Sequence, residues 1–452
     1  MTKVKTSFVC QSCGTNSPKW MGKCPGCGEW NTLQEEILGD APVTLVSKIL
    51  KKDKREERPI YLDAIEEYAV QRIITSDGEL NRVLGGGVVP GSLILLGGEP
   101  GIGKSTLLLQ LALKTKGLKF LYVSGEESGE QIKMRADRIG QEHKEVLLYT
   151  GTKVEDILTQ ARNLEADFII VDSIQTISTA QIDSAPGTIT QIRECTHLLQ
   201  QFAKKSNIPI VLIGHITKEG VIAGPKLLEH IVDVVLQFEG ETNYDNRVLR
   251  SIKNRFGSIA ELGIYEMHQN GLTEIKNPSE ILFTNRSEPV AGVALASMVE
   301  GGRAFIIEIQ ALVTSSVYGQ PQRSTTGFDS RRLNMLLAIL EKRCGFILGD
   351  KDVFLNVAGG LKLKDTATDL AVLAALISSY EDQPIPLKIA FTGEVSLTGE
   401  IRTVNRIEIR INEVHKMGFD KIICSQNVPS TWEGIVKIGN IGDLVQLLKG
   451  MR

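Results

Sequence analysis

Gly98-Glu99-Pro100-Gly101-Ile102-Gly103-Lys104-Ser105 fits the spacing G-x-x-x-x-G-K-[ST]. Ser92 to Leu96, just before it, is an apolar run that suits a buried strand. Thr106 to Ala112, just after it, reads as a helix. Strand, glycine loop and helix in that order are the context the motif requires. The glycines let backbone N–H groups close around phosphates, and the helix N-terminus adds its dipole. Gly98, Glu99, Pro100, Gly101, Ile102, Gly103, Lys104, Ser105 and Thr106 are therefore the candidate nucleotide contacts. Lys104 would reach the β- and γ-phosphates of ATP, and Ser105 would hold Mg²⁺. ADP would occupy the same loop after cleavage.

Further strands follow. Asp167 to Ser173 is a second apolar run ending in a carboxylate, so Asp172 is expected to order the Mg²⁺ shell. A strand-ending Asp also serves as a helix cap; the glycine loop upstream favours the metal. Leu121 to Ser124 reads as a third strand, with Gly125-Glu126-Glu127 at its carboxyl edge, where ligands bind in open parallel sheets. Hydrolysis needs a group that orients and deprotonates water, and Glu126 is the first candidate, Glu127 the second. Ile208 to His215 is a fourth strand, and His215 at its end could sense a γ-phosphate. Val248 to Ile252 is a strand expected to present Lys253 and Arg255.

Four of the seven cysteines crowd the N-terminus as Cys10-x-x-Cys13 and Cys24-x-x-Cys27. Four thiolates fill a tetrahedral Zn²⁺ site and leave no open position, so the metal is expected to be structural. About thirty residues cannot fold on apolar burial alone, and zinc would supply the difference. Trp20, Lys19 and Lys23 between the pairs could meet DNA or a partner, or form an ordinary solvated face. Ser47 to Arg58 is dense in charge without an apolar period and reads as a solvated connector or short helix.

The 452 residues suggest about three domains. Hydrophobic residues are 42%, enough to fill real cores. A net charge of −3 gives no global field for nucleic acid, so DNA contact must be local. No run of about 18 apolar residues exists, and the N-terminus lacks a signal-peptide core; the expectation is a cytoplasmic protein without membrane contact.

Leu84-Gly85-Gly86-Gly87, Pro90-Gly91-Ser92 and the glycine loop together resemble the RecA and DnaB superfamily. The four cysteines, Ser124-Gly125-Glu126-Glu127-Ser128, His215 to Gly220 and Lys253-Asn254-Arg255-Phe256-Gly257 narrow this further. The whole set resembles the bacterial RadA (Sms) DNA repair family, including its KNRFG motif. That resemblance implies a catalytic glutamate at Glu126 and a homo-oligomeric ring, commonly a hexamer, with ATP between subunits. Lys253 and Arg255 would then act in trans, as cations on the neighbour's γ-phosphate. Read without the resemblance, the same pair could be a basic strand end on the surface. It also implies single-stranded and branched DNA as substrates, the RecA recombinase as partner, and branch migration after strand exchange. Two loops are candidates for DNA: Gln175 to Gly187, and Lys218 to Lys226, where Lys218 and Lys226 would contact the backbone.

The C-terminal part resembles the proteolytic domain of Lon. Phe391 to Ile401 matches a Lon strand–turn–strand signature, and Asp365 to Leu370 matches the nucleophile segment. Ala367 stands where the serine would be, and Glu408 near the dyad lysine. An alanine has no nucleophile and a carboxylate is not an amine base, so an ATP-dependent Lon-type protease is the disfavoured alternative. The expected architecture is α/β: an N-terminal four-cysteine zinc ribbon (7–33), a linker (34–69), a RecA-type P-loop ATPase core with a mostly parallel sheet (70–282), and a proteolytically inactive Lon protease-like α+β domain (283–452).

Overall fold

The computed structural model describes residues 5–10, 15–38, 49, 61, 71–140, 145–215, 225–240, 246–275, 277, 279–284, 286–316, 320–358, 362–429 and 432–451. Chain contacts divide it into two units, Met1–Ile275 and Lys276–Arg452.

The first unit begins with a small antiparallel sheet of order β2-β1-β3: β1 (Lys5–Cys10), β2 (Asn16–Ser17) and β3 (Leu33–Leu38). Its core is Cys10, Cys24 and Leu33, with Phe8 packed against them. So little apolar surface cannot offset chain entropy.

The larger part holds α1 (Gly78–Val83), β4 (Leu93–Gly98), α2 (Lys104–Lys114), β5 (Phe120–Ser124), α3 (Gly129–Ile139), β6 (Val146–Tyr149), α4 (Val154–Asn163), β7 (Phe168–Asp172), α5 (Ile189–Ser206), β8 (Ile210–His215), α6 (Pro225–Ile231), β9 (Val234–Glu239), β10 (Asn246–Asn254), β11 (Leu262–His268) and β12 (Gly271–Glu274). The strands form one nine-stranded sheet of order β12-β11-β10-β9-β4-β8-β7-β5-β6. From β9 to β6 neighbours run parallel; β9 to β12 pair antiparallel.

Central strands are buried on both faces, which is why they read as unbroken apolar runs. Leu93, Leu95, Ile169 and Val171 face one side with α4 and α5 residues such as Ile157 and Phe202. Ile94, Leu96, Phe168 and Ile170 face the other with Leu107 and Leu111 of α2 and Ile132 of α3. At the edge, Gln110 of α2 donates Nε2 to Leu272 O at 2.7 Å and accepts from Leu272 N at 3.0 Å. A side-chain amide thus takes the place of a further strand beside β12.

The second unit contains α7 (Ser279–Leu282), β13 (Val293–Glu300), β14 (Arg303–Ser315), β15 (Arg323–Thr326), α8 (Ser330–Cys344), β16 (Lys351–Val357), α9 (Asp369–Tyr380), β17 (Ile389–Phe391), β18 (Glu394–Val395), β19 (Ile401–Arg402), α10 (Ile407–Lys416), β20 (Lys421–Ser425), β21 (Ile435–Ile438) and α11 (Ile441–Lys449). A mixed seven-stranded sheet runs β15-β16-β14-β13-β17-β20-β21, and β18 pairs with β19. α9 is buried almost all round, consistent with its alanine- and leucine-rich sequence. Inside this unit the fully buried Asp369 accepts two hydrogen bonds from Arg332, by Nε at 2.6 Å and by Nη2. Among the described residues, no helix is long and apolar enough to cross a membrane.

Candidate functional site

The carboxyl edge of the parallel sheet gathers the glycine loop, Glu126, Asp172 and the end of β8, while β10, antiparallel to β9, carries Lys253 and Arg255 to the opposite edge. Register aligns Gly98 of β4 with His215 of β8, and Ser124 of β5 with Asp172 of β7. The loop after β4 turns into α2 through Gly103, whose φ of +112° favours a residue without Cβ. A Cβ there would lie 2.6 Å from Met267 Cε.

Lys104 opens α2 and folds back over its own loop. Its Nζ donates to Gly98 O and Glu99 O, both at 2.8 Å. Burial lowers its pKa to about 8, against the pull of Asp172, Glu126 and Glu99. Asp172 is buried beside it, and burial pushes its carboxyl up, while hydrogen bonds from the Tyr122 and Ser105 hydroxyls pull it down. The Tyr122 hydroxyl donates to Asp172 Oδ2 at 2.7 Å. Ser105 and Asp172, the two residues expected at Mg²⁺, thus lie on the same side of the site, near enough for the hydroxyl to lower the carboxyl's pKa.

The geometry separates the two glutamates. Glu126 accepts a hydrogen bond from the Ser173 hydroxyl, next to Asp172. Glu127 is ion-paired with Arg135 of α3, the helix capped by Ser128 and Gln131. Glu126 therefore faces the centre of the site, and Glu127 is held by a cation at its flank. A buried ammonium, a loop of backbone N–H groups, a hydroxyl–carboxylate pair and a second carboxylate can together bind a polyphosphate and handle a water.

Lys253 and Arg255 lie at the end of β10, as the sequence suggested, but both are engaged within their own chain. Lys253 Nζ donates to the carbonyls of Glu229 and Val232 at the end of α6, the latter at 2.8 Å. Partial burial and the nearby Arg255 lower its pKa. Arg255 Nη1 lies 3.4 Å from Asp233 Oδ1, with 49% of its side chain exposed. Asn254 accepts from Phe256 N at 2.9 Å and donates to Leu84 O at 3.4 Å. A Cβ on Gly257 would come within 3.5 Å of Gly85 Cα, so the motif rests on the glycine turn.

Sequence reasoning missed Tyr122, Ser173, Arg135 and Asp233. A hydroxyl inside the apolar run Phe120–Ser124 was the one available signal, pointing to Tyr122.

Cys10, Cys24 and Cys27 converge, with all three sulfurs within 4.8 Å of one another. Cys10 and Cys27 sulfurs are 3.7 Å apart, close to the roughly 3.8 Å that Zn–S bonds of about 2.3 Å impose on a tetrahedron. Gly26 N donates to Cys24 Sγ at 3.3 Å, as befits a thiolate ligand. The thiols present fit zinc. Cys13 lies outside the described residues, as do Lys218, residues 216–224, most of the connector, and the side chains of His215 and Lys226. The other candidate DNA loop is described: it opens with a 3-10 turn, Ile174–Thr176, and Gln191 of α5 donates to the carbonyls of Ile182 and Ser184, both at 3.0 Å.

In the second unit Ala367 is fully buried, its amide bonded to Asp365 Oδ1 at 3.0 Å. Glu408 is exposed on the first turn of α10. Thr366 donates to Glu394 at 2.8 Å and Thr368 to Asp365 O at 2.8 Å. Both threonine hydroxyls are thus tied to acceptors rather than to an amine base.

Residues 62–221 match the family model described as AAA domain, residues 8–35 that of the rubredoxin metal binding domain, and residues 310–428 that of subunit ChlI of Mg-chelatase. A DNA repair protein RadA of Bacillus subtilis is 48% identical over 444 residues, covering 97% of each chain. One of Halalkalibacterium halodurans is 44% identical over 458 residues, covering 100% of each. One of Listeria monocytogenes is 44% identical over 455 residues, covering 99% of each. A solved KaiC-like protein of Pyrococcus horikoshii is 20% identical with a TM-score of 0.39, covering 46% of this chain and 99% of that one.

Proposed function

This chain belongs to the DNA repair protein RadA family, and from that premise we propose that it hydrolyses ATP to move along single-stranded and branched DNA, promoting branch migration after strand exchange by the RecA recombinase. The observation that carries the reading is the convergence of Lys104, Ser105, Asp172 and Glu126 on one sheet edge.

Lys104 exchanges the carbonyls of Gly98 and Glu99 for the β- and γ-phosphates. Ser105 and Asp172 would hold Mg²⁺, which would supply neutralisation of the phosphate charge. Glu126 orients the attacking water and takes its proton, while Arg135 keeps Glu127 aside. His215, at the end of the neighbouring strand, senses the γ-phosphate. Copies assemble as a hexameric ring, and Lys253 and Arg255 of one copy complete the site of the next. Lys218 and Lys226 track the DNA backbone in the channel. The zinc ribbon is structural, and the C-terminal unit serves assembly and DNA contact, without peptidase chemistry.

The test is phosphate release by the purified protein with no DNA, single strands, duplex and forks, beside Lys104→Ala. Turnover stimulated by single-stranded or forked DNA and absent from the variant is expected. Equal rates with and without every DNA would overturn the motor, and normal turnover by Lys104→Ala would overturn the site.

A further inference from the structure

Arg72 precedes the nucleotide loop by more than twenty residues, yet its guanidinium meets a carbonyl 184 positions later in the sequence. Nη1 donates to Leu84 O at 3.0 Å and Gly87 O at 3.1 Å, and Nη2 donates to Phe256 O at 2.6 Å. All three acceptors are main-chain carbonyls. Two belong to the glycine turn and the third lies directly after Arg255.

The surroundings make this an alignment device. Gly85, Gly86 and Gly87 all have positive φ, of +81°, +107° and +120°. Such a run is soft by itself, because glycine loses the most freedom on ordering. It is fixed by the bridge between Ile73 and Val88 and by Asn81 O, which accepts from Gly86 N at 2.8 Å and Gly87 N at 3.0 Å. The turn then serves as a seat for Gly257. On its other side Arg255 N donates to Asp233 O at 3.2 Å. The main chain around Arg255 is thus held at two points, Asp233 before the side chain and Arg72 after it.

We propose that Arg72 is a positioning residue that sets the direction in which Lys253 and Arg255 are presented to the nucleotide of the adjoining copy. This rests on the reading that these cations act between copies. A planar fork meeting three carbonyls is a task for arginine; a lysine offers one compact head and cannot span both segments. Arg72 touches no phosphate. Its loss leaves the chain's own loop 98–106 intact and spoils what the chain offers its neighbour. Misplacing a reacting group by about 1 Å costs up to about a hundredfold in rate.

The experiment compares Arg72→Ala and Arg72→Lys with the native full chain. Binding of a fluorescent ATP analogue should stay within about twofold, while kcat falls by about tenfold or more. Arg72→Lys should recover part of the loss, and it carries the same test if the alanine variant does not fold.

Subunits of Arg72→Ala are then mixed with subunits of Lys104→Ala. Some interfaces now join the intact loop of the first to the intact 253–257 segment of the second, so turnover should rise above that of either parent. A parallel mixture of Arg255→Ala with Lys104→Ala is the control. If the control fails to regain turnover, the shared site itself is wrong and the inference falls with it. If the control regains turnover and the Arg72 mixture does not, the role of Arg72 alone is refuted. Nucleotide affinity falling in step with kcat would refute it as well.

Discussion

Lys104 offers a test that needs no assumption about DNA. Burial lowers its pKa to about 8 in the nucleotide-free chain. The head group is then roughly nine-tenths charged at pH 7 and roughly one-tenth charged at pH 9. Arriving phosphates favour the ammonium and push the pKa back up, so binding above pH 8 must take up a proton. Apparent affinity for a non-hydrolysable ATP analogue should therefore fall by about tenfold from pH 7 to pH 9, or about 1.4 kcal/mol. Isothermal titration at pH 7, 8 and 9, in two buffers of different ionisation enthalpy, reads both the affinity and the proton. Lys104→Gln should bind weakly and show no such slope. A native affinity that stays flat across this range, or binding at pH 9 without proton uptake, would refute the burial argument.

Cys24→Ser should release the metal and disorder the ribbon; unchanged zinc content per chain would rule out thiolate ligation there. Arg332→Met strands the fully buried Asp369 and should destabilise the second unit by about 3–5 kcal/mol in urea titration, with Asp369→Leu added on top restoring most of it; an unchanged midpoint in the single variant would contradict this. Burial raises the Asp77 carboxyl from 3.8 to about 6 while it caps α1 and accepts from Tyr265. Its protonated form favours the folded chain, so that stabilisation is complete below about pH 4 and is lost as pH rises through 6. Asp77→Asn keeps the acceptor without the charge. It should be more stable than the native protein at pH 8, by on the order of 2 kcal/mol, and no different near pH 4. Equal melting temperatures at pH 8 would sink that account.

The central sheet was legible because β4, β5 and β7 are buried on both faces and leave uninterrupted apolar runs. The glycine loop was legible because backbone contact with phosphate tolerates few spacings. The ribbon was legible from thiol spacing alone, and Cys10, Cys24 and Cys27 do converge. Long-range partners were not legible. Tyr122 and Asp172 are 50 positions apart, and Arg72 and Phe256 are 184 apart, so no local period links them. Strand order decides such meetings, and it arises from crossovers that a linear reading does not fix. Charge at 253 and 255 was visible, but the end of α6 that takes up Lys253 was not.

The amide of Gln110 has a mechanical consequence. It fastens the helix that begins with Lys104 to Leu272, on the last strand before the boundary at Ile275. Both hydrogen bonds come from one side chain to one residue, so losing the amide would free the helix from that strand at a single stroke. β12 is the edge strand of the nine-stranded sheet, so the amide ties the helix that carries Lys104 directly to that edge, away from the strands that hold Glu126 and Asp172. The same amide blunts an otherwise open strand edge, which discourages edge-to-edge stacking of stray copies.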